Sequence, residues 1–224
     1  MIISMNTYVV LFSLLAVFAL NTTSVLAYNP QINNTVIPYE IYPLDNNIET
    51  KTEYLGELIG DPQMYEFIIS ATTTLKLRLS QLETETPIPF SLITVRKNDK
   101  NDGVSEVGRL LAKDIIQESI LDKVLGLTIL NSQVYEAEIG SGIYRVEVST
   151  PDNFGSYMLT VGDVPVEVDY FETLSDVRSI QKFFQKSIFT LLKSSYVHYP
   201  LGIIVLLGLL FITWSKRKYI IITD

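Results

Sequence analysis

The sequence predicts a mainly β protein, a two-sheet antiparallel β-sandwich followed by an amphipathic helix and one C-terminal transmembrane helix. Three observations carry that expectation. Apolar residues recur every second position through the middle of the chain, turn residues separate those stretches, and two uncharged apolar segments lie near the ends.

The period-two stretches come first. Leu75, Leu77 and Leu79 alternate with Lys76, Arg78 and Ser80, and Tyr135, Ala137 and Ile139 alternate with Glu136 and Glu138. Tyr144, Val146 and Val148 alternate with Arg145, Glu147 and Ser149, and Tyr157, Leu159 and Val161 with Ser156, Met158 and Thr160. Successive side chains of a strand point to opposite faces, so each set turns one face to a core and the other to water. Residues 65–70 and 90–95 read as more buried strands. Gly140-Ser141-Gly142 is short enough for a hairpin, and Pro151-Asp152-Asn153-Phe154-Gly155 places Pro and Gly where a turn needs them. Between residues 104 and 125 the spacing of Val107, Leu110, Leu111, Ile115, Leu121, Val124 and Leu125 predicts a helical insertion instead.

The ends set the expected address. Residues 8–20 form a 13-residue apolar run, too short for the about 20 helical residues a bilayer requires but suited to a signal-peptide core. Val25 and Ala27 are the small residues that precede a cleavage point, so residues 1–27 are read as a signal peptide; the first seven carry no Lys or Arg, which keeps an uncleaved N-terminal anchor open as the alternative. Residues 194–215 carry no formal charge over 22 positions, roughly 33 Å as a helix against a hydrocarbon core of about 30 Å. The span is placed at 197–215. Its anchor residues are Tyr199 and Trp214 at the two interfaces, Pro200 in the first turn, and Lys216, Arg217 and Lys218 at the cytoplasmic end, with a tail over 216–224. Lys182, Lys186 and Lys193 flank the other end, so orientation rests mainly on the signal.

Between sandwich and span, residues 170–194 carry Leu174, Val177, Ile180, Phe184, Ile188 and Leu191 at three- and four-residue steps, with Arg178, Lys182, Lys186 and Lys193 largely opposite. Ser175 or Thr173 is the expected cap. Three fates are open to such a helix: packing under the sandwich, lying in the headgroup layer with Phe183, Phe184 and Phe189 inserted, or pairing with another copy as a homo-oligomer. Residues 28–60, rich in Asn, Pro, Thr and Tyr, read as an N-terminal arm whose polar beginning is expected to be mobile. Residues 41–44 and 54–59 supply edge strands there, and the arm is available to a neighbour's sheet edge. The sandwich proper is placed at 61–169.

Residues 140–162, GSGIYRVEVSTPDNFGSYMLTVG, resemble the end of bacterial pre-peptidase C-terminal domains. There a G-x-Y-x-V-x-V strand, a turn and a G-x-Y-x-L-x-V strand follow one another. The matching residues here are Gly142, Tyr144, Val146 and Val148, then Gly155, Tyr157, Leu159 and Val161; upstream, Tyr65-Glu66-Phe67 and the Leu75–Leu79 ladder resemble that family's first strands. The resemblance covers residues 65–162 and implies a jelly-roll-like accessory or binding module. Unlike that setting, no peptidase precedes the domain and an apolar helix follows it. In layout alone the chain is also similar to GOLD-domain cargo receptors, which usually carry a disulfide that this chain, without cysteine, lacks.

Composition narrows the function classes. Residues 28–198 contain 24 acidic and 14 basic side chains, a balance of −10, which argues against nucleic-acid partners. His198, the one histidine, stands at the lip of the expected span, away from any triad or metal set in the sandwich. Asn98 and Asp102 match the first and fifth positions of a calcium loop, but Lys100 and Arg109 occupy the third and twelfth, so a hairpin loop is expected there. Asn33-Asn34-Thr35 is a glycosylation sequon, relevant only in a host that glycosylates exported proteins. No catalytic, metal or cofactor site is assigned. The expected partners are the lipid bilayer and a protein or glycan on the exposed domain. The expected role is a non-catalytic binding, adhesion or assembly module at the cell membrane, with a GOLD-like receptor or a carboxylate-dependent hydrolase as alternatives.

Overall fold

The computed structural model describes residues 28–33, 37–98 and 103–220, with side chains at 211 and 213–220 excepted. The expected signal segment therefore lies outside the described residues.

Among the described residues, twelve strands form two mixed sheets. The larger has the order β1-β3-β12-β5-β9-β8, with β10 also paired to β5; the smaller is β2-β4-β11-β6-β7. Their ranges are β1 Pro30–Ile32, β2 Ile41–Pro43, β3 Thr52–Ile59, β4 Gln63–Ile69, β5 Thr73–Leu82 and β6 Ser91–Lys97. They continue with β7 Val104–Leu110, β8 Glu118–Asp122, β9 Leu127–Asn131, β10 Tyr135–Ile139, β11 Gly142–Ser149 and β12 Phe154–Val161. Each alternating stretch in the sequence is a strand. Leu75, Leu77, Leu79, Tyr144, Val146, Val148, Tyr157, Leu159 and Val161 are buried between the sheets, while Glu136 and Glu138 face water.

At the centre of this core lies a closed polar chain. The Tyr65 and Tyr157 hydroxyls are 2.8 Å apart, Tyr157 donates to Gln63 Oε1 at 2.7 Å, and Asn33 Nδ2 donates to the same oxygen at 3.2 Å. Burial, the largest cause, raises both phenols, Tyr65 to about 12. The folded protein thus keeps protons that the unfolded chain releases near pH 10, so stability is intact below about pH 10 and falls as pH rises towards 12. Following tyrosinate absorbance and circular dichroism together checks this. These two phenols should ionise only as ellipticity is lost, and smooth ionisation in a folded protein would refute it. Asn33, buried and bonded to Gln63, is also no glycan acceptor in this fold, which removes the sequon.

Four expectations need correction. Residues 28–60 are no arm: β1 pairs with β3, β2 with β4, and Leu44, Ile48, Tyr54 and Leu58 lie in the core. The sandwich therefore starts at residue 28, not 61, and β3 is an inner strand between β1 and β12. The segment 104–125 is no helix but β7, a short 3-10 turn at Ala112–Asp114, and β8. Its three-residue spacing comes from a β-bulge: the register against β6 shifts between Thr94 and Val95, so Val107 and Leu110 both pack on the core. The glycine turn at 140–142 is no hairpin either, because β10 belongs to the larger sheet and β11 to the smaller, and the turn carries the chain across the core.

The fourth correction concerns 170–194, which is not one helix. Helix α1 runs Tyr170–Phe183 and ends in a Schellman turn: Gln185 takes φ 56°, its N–H bonds Lys182 O at 2.9 Å, and Lys186 N–H bonds Gln181 O at 2.8 Å. Its cap is Asp169, whose Oδ1 accepts from Phe171 N and Glu172 N, in place of Ser175 or Thr173. A 3-10 segment, Ile188–Lys193, then leads directly into helix α2, Ser195–Ile220. Val177 and Ile180 of α1, with Phe184 at its C-terminal cap, pack with Leu55, Leu125, Leu127, Ile129 and Met158 to make a second core on the outer face of the larger sheet. Of the three expected lipid-facing aromatics, Phe184 is thereby buried and Phe183 packs beside it, leaving Phe189 exposed.

The junction with α2 is fastened on three sides. Ser194 Oγ donates to Val124 O at 2.6 Å, Ser195 N to Lys123 O at 2.8 Å, and the buried Gln181 Nε2 to Leu125 O at 2.7 Å. Helix α2 begins before residue 197, so Pro200 lies beyond its first turn and the Tyr196 carbonyl loses the partner that an N–H at position 200 would supply. The Tyr170 hydroxyl of α1 donates to that carbonyl at 2.5 Å. Among the described residues, no helix is long and apolar enough to cross a membrane.

Candidate ligand-binding groove

The larger sheet's outer face is apolar where α1 covers it and charged beside that cover. There, outward residues of four strands and the β8–β9 turn line a groove of about 190 Å³. Ser80, Asn131 and Thr160 supply hydroxyl and amide groups along its floor, with Met158 and Ile129 leading under α1. Tyr28, Asp122, Lys51 and Glu53 contribute further walls, and Arg78 is exposed.

Local bonding sets this geometry. Asn29 N donates to Glu53 Oε2 at 2.8 Å, and Glu53 N donates back to Asn29 O at 3.0 Å, which fixes the entering chain beside β3. The Tyr28 ring is consequently buried under the Lys51 ammonium, 4.6 Å from its centroid, and the Tyr28 hydroxyl donates to Asp122 Oδ2. Asp122 uses its other oxygen to accept from Val124 N and Leu125 N, the turn that also receives Ser194. Ser80 Oγ donates to Asn131 Oδ1 at 2.7 Å. Burial first, then the Asp122 and Glu53 carboxylates, hold the Tyr28 phenol well above its ordinary range, so it remains a proton donor at neutral pH.

Two cations and two carboxylates nearly cancel around this groove, and hydroxyl and amide groups floor it. Such a lining suits a neutral, hydrogen-bonding group better than a strongly charged one. A second hollow of about 170 Å³, under the C-terminal end of α1, is lined by Gln81, Leu82, Ile88, Phe183, Phe184 and Gln185 among others and is mainly apolar.

The residues assigned from sequence to the membrane anchor lie elsewhere. Tyr199 is exposed on α2 with its ring 4.2 Å from that of His198, and Pro200 follows it. Trp214, Lys216, Arg217 and Lys218 fall on the α2 backbone, their side chains outside the described residues. The Asn98–Gly103 loop closes a β6–β7 hairpin, Asn98 N bonding Gly103 O at 3.0 Å, with Lys100 and Asp102 outside the described residues. Among the described residues no group of three or more His, Asp or Glu is placed to hold a metal ion. Sequence reading missed the groove because its members come from positions 28 to 160 and share no motif; the polar outward positions of β5 and β12 were its only trace.

No family model matches the chain, and no curated protein matches it. Among solved structures it is similar to the pre-peptidase C-terminal domain of a collagenase from Bacillus anthracis. The identity is 15%, the TM-score 0.33, and the match covers 58% of this chain and 98% of that domain.

Proposed function

We propose that the protein is a single-pass membrane protein that presents its β-sandwich outside the cytoplasm as a non-catalytic binding or assembly module. The observation supporting this reading is the uncovered apolar surface of α2. Leu201, Ile204, Val205, Leu206, Leu209 and Leu210 are all exposed on a helix that leaves the sandwich directly. By sequence, the uncharged run 194–215 continues past the side chains the structure describes and would amount to roughly 33 Å as a helix, against the about 30 Å of a hydrocarbon core. Lipid, or the helix of a membrane partner, is the cover such a surface requires. In this reading Tyr199 and Trp214 mark the interfaces, Lys216, Arg217 and Lys218 end the span on the cytoplasmic side, and the groove takes a polar group of a glycan or protein.

The test is purification of the full chain from washed membranes in mild detergent, followed by mass spectrometry of what stays bound. The comparison is a fragment ending at residue 197. Retention of the full chain through an alkaline wash, with release of the fragment, is the expected result. A full chain that washes off would refute the anchor. A partner held in stoichiometric amount by both forms assigns binding to the sandwich, and one lost with the fragment assigns assembly to α2.

A further inference from the structure

Charge is segregated along this chain. Of the 14 basic side chains in residues 28–198, Arg178, Lys182, Lys186 and Lys193 follow residue 176, and none of the 24 acidic ones does. An otherwise acidic domain therefore has one basic region, at its join with α2. Arg178 is used within the fold, its guanidinium donating to Lys186 O at 3.1 Å and Ser187 O at 3.2 Å across the turn that ends α1. Lys182 and Lys193 are exposed and Lys186 is half-exposed, and among the described residues none of the three is ion-paired.

The 3-10 segment Ile188–Lys193 crosses this basic region with no buried residue. Side chains three positions apart eclipse one another in such a helix, so its residues stand in ridges. Leu191 packs towards the second core, whereas Phe189 and Leu192 share an outer ridge and are 75% and 51% exposed. Lys193 stands on the next ridge. At about 2 Å per residue, Phe189 lies within about 12 Å of Ser195, where α2 starts. The bonds from Ser194 and Ser195 to the β8–β9 turn pin that start to the sandwich. The first residue pair of α1 reaches the same place: the Tyr170 ring is 5.7 Å from that of Tyr196, and Phe171, 5.4 Å from Tyr170, is 78% exposed. Exposed apolar side chains from two elements thus flank the base of α2.

We propose that these two elements form a lipid-docking surface. Phe171, Phe189 and Leu192 enter the headgroup layer around the base of α2, and Lys182, Lys186 and Lys193 meet anionic headgroups there. The inference rests on the reading of α2 as a membrane span. A span entering near Tyr199 leaves Ser195 about 6 Å above the hydrocarbon, within a headgroup layer about 5–8 Å thick. The segment that ends there then has lipid as its nearest cover. Continuity with the exposed apolar surface of α2 and the unpaired lysines favour lipid over a folded partner. The consequence is that the sandwich is held down on the bilayer, with its groove at a fixed height, rather than swinging on a stalk.

The test exploits the absence of cysteine, because one introduced cysteine carries a nitroxide at a known place. Full chains bearing F189C, L192C, V205C or V104C are labelled and reconstituted into phosphatidylcholine vesicles with and without phosphatidylglycerol. Collisions with oxygen, which concentrates in lipid, and with a water-soluble nickel chelate report depth. The label at 205 tests the span; the label at 104, on the exposed edge of the smaller sheet, is the aqueous reference. Labels at 189 and 192 should gain oxygen contact and lose chelate contact, more so with phosphatidylglycerol. In the F189C chain, each of K182Q, K186Q and K193Q should lower the inserted-to-free ratio about fivefold in the anionic vesicles. Chelate contact at 189 and 192 equal to that at 104 would overturn the proposal. So would spin–spin broadening between copies, which would put a second chain on this surface. Equal insertion in both vesicle types would overturn the lysine contacts. A label at 205 in lipid with 189 in water sinks the docking alone, and the reverse sinks the span alone.

Discussion

Replacing Gly126 by alanine is expected to destabilise the protein by about 3 kcal/mol and to loosen the sandwich from the base of α2. Two effects add. Gly126 takes φ 64°, in the left-handed region that costs an ordinary residue about 1–2 kcal/mol. A Cβ there would also stand 2.7 Å from the Lys193 carbonyl carbon and 2.8 Å from the Ser194 nitrogen, backbone atoms with no rotamer to yield. The junction must move, and Ser194 Oγ to Val124 O and Ser195 N to Lys123 O are the bonds placed to break. Denaturant unfolding of a fragment ending at residue 197, with proteolysis between residues 186 and 195, measures both consequences. A change below about 0.5 kcal/mol with unaltered cleavage would mean that the close approach carries no weight.

Ending the chain at residue 169 is expected to cost more. Helix α1 resembles a stalk in sequence, but Val177 and Ile180 are wholly buried and Phe184 nearly so, closing a core with Leu55, Leu125, Leu127, Ile129 and Met158. At about 1.5–3 kcal/mol for each large apolar side chain, three of them contribute about 5–9 kcal/mol, comparable with the whole stability of a typical domain. The 28–169 fragment should therefore aggregate or bind hydrophobic dyes, while 28–197 should be monomeric and unfold cooperatively. Size-exclusion chromatography and thermal melts of the two fragments decide the matter. Equal melting temperatures would show that α1 is dispensable to the sandwich.

The strands that one sheet face buries were legible as sequence. In β5, β11 and β12 one face meets the inter-sheet core and the other alternates with it, so period two survives. β3 was misplaced for the opposite reason. Tyr54 and Leu58 enter the first core while Glu53 and Leu55 lie under the outer cover, so burial is continuous and no alternation marks an inner strand. β7 was misread because a bulge at Val107 converts its spacing to that of a helix. The groove left still less signal, since Ser80, Asn131 and Thr160 are ordinary polar residues until sheet pairing sets them side by side.

By itself, then, the sequence determined the layer type and the apolar helix that follows it, because hydrophobic period and the length of an uncharged run are local properties of a chain. Tertiary structure alone decided which turns cross between sheets, where α1 stops, and which charges share the groove. Those outcomes depend on contacts between residues as far apart as Tyr28 and Asp122, or Gly126 and Lys193, whose proximity no local pattern encodes.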